Sequence, residues 1–280
     1  MTCLNNLDTR HVSELEAMAE GADVPFEELL WLNTRGDFGY QSEGCSDLGL
    51  RSGTKLLLAH NEDADPVHEG ECPLLTLHID GDRPITTYWY PGMLPATTFW
   101  LNSSGIACGI DHIPAATPGA GVGRQFLARH LSLAASLSEF VDRARQVPAA
   151  GGYSYLVATA QKRQLLGVEV GPSGVSSKEV DRRYAHTNHF IALTDPQVID
   201  EQSVSRLEIL NSLREPATRD ETLRVFSDPD MAIWRDATAS DPLITLCSVV
   251  FDIDDRVVVL YPRGGTVSHE FSFEQFIPQV

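Results

Sequence analysis

The chain has 280 residues, room for one large domain or two small ones, and 42% of them are hydrophobic, enough to bury a substantial core. Its 39 acidic and 21 basic residues leave a net charge of −18, with lysine only at Lys55, Lys162 and Lys178. That argues against a nucleic-acid partner, because phosphate binding depends on clustered Lys and Arg. No apolar run is long enough to span a membrane, and the first ten residues lack the basic start and apolar stretch of an export signal, so a cytoplasmic protein with no membrane partner is expected.

Two short helices are expected over residues 11 to 33. Ser13 followed by Glu16 reads as a capping box, Gly21 as a helix stop, and Asp23 with Pro25 as the start of a second helix that turns Phe26, Leu29, Leu30 and Leu32 towards a core. The stretch "RGDFGYQSEG" then has three glycines and little apolar periodicity, which predicts a loop delivering Cys45 to the next element.

From Cys45 onward strands dominate. "KLLLAHN" is one, "LLTLHID" and "ITTYWY" flank a turn at "GDRP", and "TTFWLN" with "GIACGIDHI" forms a further pair. A helical block over about 121 to 147 is broken near Ser136 and stopped by Pro148. "YSYLVATA" and "QLLGVEV" follow as strands, then helices near 203 to 214 and 219 to 226, then "TLCSVVFDI" and "RVVVLY" as closing strands. Hairpins between neighbours imply mainly antiparallel sheets, and two helical blocks imply helices on their outer faces. A single α+β domain is expected, a four-layer sandwich of two sheets between helices.

The five cysteines are odd in number and form no CxxC pair, so neither a disulfide framework nor a zinc module is signalled. Cys108 and Cys247 sit in apolar strand-like runs and read as packing residues, and Cys72 lies in an acidic loop before Pro73. Cys45 differs. A thiol reacts as thiolate, with an ordinary pKa near 8.5, so it needs a base. A chain cut before Cys45 would place an α-amine on the same residue to serve as that base, and Gly44 leaves the preceding carbonyl open to attack.

Three further stretches offer chemistry. "HNEDAD" ends a strand, where Asn61 and Asp63 share one side of an extended chain; it also reads as a solvated acidic turn. Asp63, Asp65, His68, Glu69 and Glu71 carry metal-type ligand atoms but lack the glycine and layout of a calcium loop, and His186 with His189 in "RYAHTNHF" lacks an acidic partner pattern, so no metal is expected. Asn188 is a neutral donor suited to an oxyanion. In "AIWRD", Arg235 is a guanidinium that can hold a carboxylate or pair at the surface.

Taken in order, "AMAEGADVPFEELLWLNTR", "SEGCS", "LLLAHNEDAD", "LNSSGIACGI", "HTNHF" and "TLCSVVFD" resemble the acyl-coenzyme A:isopenicillin N acyltransferase family of self-processing N-terminal-nucleophile (Ntn) cysteine hydrolases. The resemblance implies an αββα fold and a precursor that cuts itself at Gly44–Cys45 into a 1–44 light chain and a 45–280 heavy chain. It implies Cys45 as nucleophile and, through its amine, base; Asn188 as oxyanion donor; and Asp63 with Arg235 as the charged pair orienting the cleavage site. Asn61, Glu62, Asn102 and His186 are candidate substrate-binding residues.

Two departures stand out. Trp234 occupies the place before Arg235 where the family typically has cysteine, and about ten residues precede the first helix where members usually carry a longer lead, which leaves the cover of one sandwich edge open. The expected activity is hydrolysis of a small-molecule amide through a thioester, without a cofactor. Acyl transfer to an amine and a non-catalytic small-molecule or metal-binding relative are the alternatives. The acidic run from Glu62 to Glu71 reads equally as a solvated loop or as a field that favours a substrate amide carrying positive charge.

Overall fold

A computed structural model describes residues 9–38, 44–216 and 218–278. Two antiparallel sheets lie face to face with helices on their outer sides. The first sheet holds six strands: β1 (Gly44–Ser52), β2 (Lys55–Ala64), β10 (Arg183–His186), β11 (Ile244–Asp252), β12 (Val257–Pro262) and β13 (His269–Ser272), in the order β10-β1-β2-β11-β12-β13. The second runs in sequence order through β3 (Leu74–Leu77), β4 (Ile85–Tyr88), β5 (Trp100–Asn102), β6 (Ile106–Ile113), β7 (Gly152–Thr159), β8 (Gln164–Gly171) and β9 (Gly174–Glu179).

Three apolar clusters define the layers. Alternate residues of β1 and β2, namely Leu48, Leu50, Leu57 and Ala59, pack with Leu210 of α5 (Glu201–Ser212) and Phe226 of α6 (Arg219–Ser227). Leu56 and Leu58, one residue out of phase, meet Phe99, Leu101, Leu156 and Ala158 of the other sheet. The outer face of that second sheet, with Trp100, Ile106 and Ile110, buries α1 (Arg10–Ala22), α2 (Phe26–Thr34), α3 (Arg124–Leu131) and α4 (Leu137–Gln146). A short α7 (Phe273–Phe276) closes the chain's last turn under a Ser272–Gln275 capping box.

Several expectations about local structure need correction. The first helix begins at Arg10, with no side-chain cap at Thr9, so Ser13 lies inside it. Gly21 is helical too, and the stop is Asp23, whose left-handed φ of 53° lets its N–H reach Ala19 and Glu20 carbonyls. Strand β2 does not end at Asn61 but continues to Ala64, because β1 and β11 pair it on both sides through Asp63. Strands β9 and β13 were not foreseen; both are edge strands, whose half-exposed pattern gives little apolar signal. The break at Ser136 is a true N-cap, its side chain accepting from Glu139 N–H. Half of the loop expected ahead of Cys45, residues 39–43, lies outside the described residues; of the rest, Arg35–Asp37 form a 3-10 turn and Gly44 already belongs to β1.

Candidate active site

Cys45 is the second residue of β1 and is paired with Glu62 across to β2, while Gly44 is paired with Asp63. Strand alternation therefore divides the site into two faces. Cys45, Asp47, His60 and Glu62 face the second sheet; Gly44, Ser46, Asn61 and Asp63 face α5 and α6.

On the helix-facing side the backbone of residue 45 is held at both ends. Its N–H donates to Asn188 Oδ1 at 3.0 Å, and its carbonyl accepts from Arg206 Nη1. Arg206 also donates to Ser46 Oγ at 2.7 Å and to Asn188 Oδ1 at 2.7 Å. Asn188 is fixed in turn, its Nδ2 donating to the His112 carbonyl at 2.9 Å and its backbone N–H donating to Ser203 Oγ. Beside them Asp63 Oδ2 lies 3.8 Å from Arg206 and 3.7 Å from Arg235, and Asp63 Oδ1 accepts from Thr245 at 2.6 Å. A β-bulge between Thr245 and Cys247 of β11 permits that last contact by keeping Thr245 opposite Asp63. Burial raises the Asp63 carboxyl, and the two guanidiniums with Thr245 oppose that shift. Gly44 leaves room for the guanidinium here: a Cβ would sit 2.0 Å from Arg235 Nη1 and push it aside.

On the sheet-facing side Cys45, His60 and Glu62 present atoms within 4.8 Å of one another. His60 Nε2 is 3.1 Å from Glu62 Oε2, and its Nδ1 is 3.0 Å from Asp47 Oδ1. Asp47 fits against β6 because Gly109 has no side chain; a Cβ there would lie 2.1 Å from Asp47 Oδ1. Further along, His186 bridges Asp111 at 3.2 Å and Glu169 at 3.0 Å. Glu169 also accepts backbone N–H groups of Ile191, Ala192 and Leu193.

Burial and the Glu62 charge push the Cys45 thiol up, His60 acting against them. For His60, burial is outweighed by its bonds to Asp47 and Glu62 and by the nearby Cys45 thiol, so it is held well above the ordinary imidazole range. Burial and the nearby Asp111 charge raise Asp47 to about 7. Among the described residues two buried trios have donor atoms close enough for a metal ion, Cys45–His60–Glu62 and Asp47–His60–Asp111. Each includes His60, whose two ring nitrogens are already engaged by carboxylates, so an ion would have to displace those bonds.

A cavity of about 20 Å³ adjoins the thiol, lined by Cys45, Glu62, Tyr90, His112, Gln125 and Tyr153 among others. That holds a water molecule, not a substrate. A groove of about 650 Å³ between α1 and β3 shares no lining residue with it.

Of the residues singled out in the sequence, Gly44, Cys45, Glu62, Asp63, Asn188 and Arg235 converge here. Asn61 faces away, its amide donating to the Phe226 and Ile233 carbonyls and so tying β2 to α6. Asn102 organises a loop, donating to the Ser132 and Ala134 carbonyls and accepting from Ser104 and Ile106 N–H. His186 lies in the buried polar row beyond Asp47, away from the cavity lining. His60, Asp47 and Arg206 are additions. Arg206 did leave a signal, since a guanidinium falls on the buried face of α5 between Ser203 and Leu210.

Two face-to-face antiparallel sheets between helical layers, with a thiol at the first residues of a central strand, define an Ntn-hydrolase type of architecture. The family model described as acyl-coenzyme A:6-aminopenicillanic acid acyl-transferase matches residues 50–264, and the chain belongs to that family. Two solved structures of the conjugated bile acid hydrolase of Clostridium perfringens, a cysteine-to-alanine mutant and an arginine-to-leucine variant, each share 8% identity with it at a TM-score of 0.53. Both alignments cover 82% of this chain, and 92% and 93% of theirs. Penicillin V acylase from Agrobacterium tumefaciens aligns at 12% identity and a TM-score of 0.46, over 82% of this chain and 86% of its own. No curated protein matches in sequence. The family match places the chain among acyl-transfer enzymes, and the bile acid hydrolase structures share its fold. No helix among the described residues is long and apolar enough to cross a membrane.

Proposed function

We propose that the chain is a self-processing cysteine amidohydrolase in which Cys45, freed at its amino end by cleavage after Gly44, attacks a small-molecule amide. The observation that carries this reading is the grip on residue 45: Asn188 and Arg206, both buried, hold its N–H and its carbonyl while its thiol adjoins the cavity. Such preorganisation suits a residue whose backbone nitrogen becomes a base and whose sulfur becomes a nucleophile.

In this scheme the precursor splits into residues 1–44 and 45–280. The new amine takes the thiol proton, sulfur adds to the substrate carbonyl, and the departing amine receives the proton. Water then hydrolyses the thioester. Asn188 Oδ1 keeps the amine aimed, and the second hydrogen of its Nδ2, the first being bonded to the His112 carbonyl, remains for an oxyanion. Asp63 and Arg235 steady the cleavage site from behind Gly44.

The acidic run from Glu62 to Glu71, with Glu69 and Glu71 on an exposed turn, supports a cationic amide as substrate. Charge reversal at Glu69 and Glu71 should lower kcat/KM for a cationic amide more than for a neutral one; equal values would discard the preference. The family description keeps acyl transfer in view, yet the sequence carries no basic cluster to hold coenzyme A phosphates, which favours water as acceptor. The deciding experiment is the intact mass of the purified chain under denaturing conditions. Two fragments meeting at Gly44–Cys45, and a Cys45→Ala chain that stays whole and inactive, are expected; a Cys45→Ala chain split at the same bond would end the proposal.

A further inference from the structure

We infer that His60 is a second catalytic residue, the base that activates the Cys45 thiol for the first cut, before residue 45 has a free amine. The inference rests on the self-cleaving reading above and supplies what that reading lacks. An amine cannot assist the step that creates it, so attack on the Gly44 carbonyl needs another proton acceptor.

The imidazole meets the geometric requirement. The thiol lies within 4.8 Å of it, its Nδ1 is oriented by Asp47 at 3.0 Å, and all three side chains lie on the sheet-facing side of β1 and β2. Nucleophile, imidazole and buried carboxylate in this sequence reproduce the logic of a catalytic triad, here in an Ntn-type sandwich. The groups facing His60 are Cys45 and Asp47 from β1, Glu62 from β2, Cys108 and Asp111 from β6, and Cys247 from β11, with Tyr90 hydrogen-bonded to Glu62 and Asp63 acting from the far side of β2. Asp47 Oδ2 and Asp111 Oδ1 are buried and without hydrogen-bond partners among the described residues, so this row has room for a proton but not for further negative charge.

The step balances. His60 Nε2, released from the Glu62 carboxylate 3.1 Å away, takes the thiol proton as sulfur bonds to the Gly44 carbonyl carbon, whose oxygen becomes an oxyanion. The imidazolium then returns that proton to the Cys45 nitrogen as the C–N bond breaks, leaving a thioester and a free amine. Water hydrolyses the thioester to the Gly44 carboxylate and restores the thiol. Because the neighbours hold His60 protonated near neutrality, the reactive form appears when the cluster loses one proton, and cutting accelerates as pH rises.

The test follows splitting of the freshly translated full chain by intact mass across pH. The wild-type rate should climb with pH; His60→Gln should cut at least about 100-fold more slowly. Asp47→Asn, nearly isosteric, should cut more slowly and with its profile moved to lower pH, since removing the carboxylate lets the imidazole lose its proton earlier; this arm decides the matter where His60→Gln fails to fold. A His60→Gln chain splitting at the wild-type rate, or an Asp47→Asn profile that does not move, would overturn the inference while leaving Cys45 in place. A Cys45→Ala chain that splits would instead overturn the reading on which it rests.

Discussion

The two faces of the β1–β2 ladder are built from similar residue types and behave differently. On the helix-facing side, Asp63 is balanced by Arg206 and Arg235, and Arg235 is clasped by Asp241 through Nε at 2.9 Å. Guanidiniums stay charged throughout the physiological range, so this face fixes geometry. On the sheet-facing side the partners of Asp47, Glu62, Asp111 and Glu169 are two imidazoles, which can exchange a proton and which these carboxylates hold above the ordinary imidazole range. One face holds the backbone of Cys45; the other is placed to handle its proton.

The comparison predicts large effects where a fixed charge is removed. Arg206→Met should leave Asp63 under-compensated and lose the bonds to Cys45, Ser46 and Asn188, costing about 3–5 kcal/mol in urea unfolding at neutral pH. A loss below about 1 kcal/mol would show that Arg235 alone can balance Asp63.

The sheet-facing side should reveal itself through pH. His186 is raised to about 9 because Asp111 and Glu169 outweigh burial, so the stability it contributes is complete below about pH 6.5 and lost as pH rises through about 9. Asp47, raised to about 7, acts in the same direction, since between about pH 4 and 7 the folded chain keeps a proton that the unfolded chain has released. Unfolding free energy should therefore fall by about 2–3 kcal/mol from pH 6.5 to 9.5, and His186→Asn should flatten that slope; an unchanged slope would remove His186 from the balance.

Smaller effects calibrate the two. Thr245→Val removes one bond to Asp63 and one from Arg235 N–H, and should cost about 1–3 kcal/mol. Arg182→Ala breaks an exposed pair with Glu215 and should cost under about 1 kcal/mol, the scale against which the buried charges are read.

How far the site was legible follows from the range of each signal. Asp63, Asn188 and Arg235 could be picked out because they stand in recognisable stretches near Cys45 or its motif partners. His60 stood in the same stretch as Asp63 and was passed over: its importance depends on Cys45 and Asp47 lying across the ladder, and cross-strand register is a pairing property, not a local one. Asn61 went the other way. Its shared side with Asp63 was correctly expected, but that side turned out to be the one covered by α6, where its amide is occupied by main-chain carbonyls.

The sequence by itself determined the alternation of the strands, the helical blocks, the separation of Cys45 from the packing cysteines and the membership of a family, all properties carried by short-range periodicity or by linked motifs. Only the tertiary structure decided which face of each strand is buried against which layer. It brought Arg206 from α5 onto the Cys45 carbonyl, 161 residues away in the chain, and set His60 between the thiol and Asp47. Those contacts arise where two sheets and a helix close over one another, and charge buried at such a closure must find its partners there because water cannot supply them.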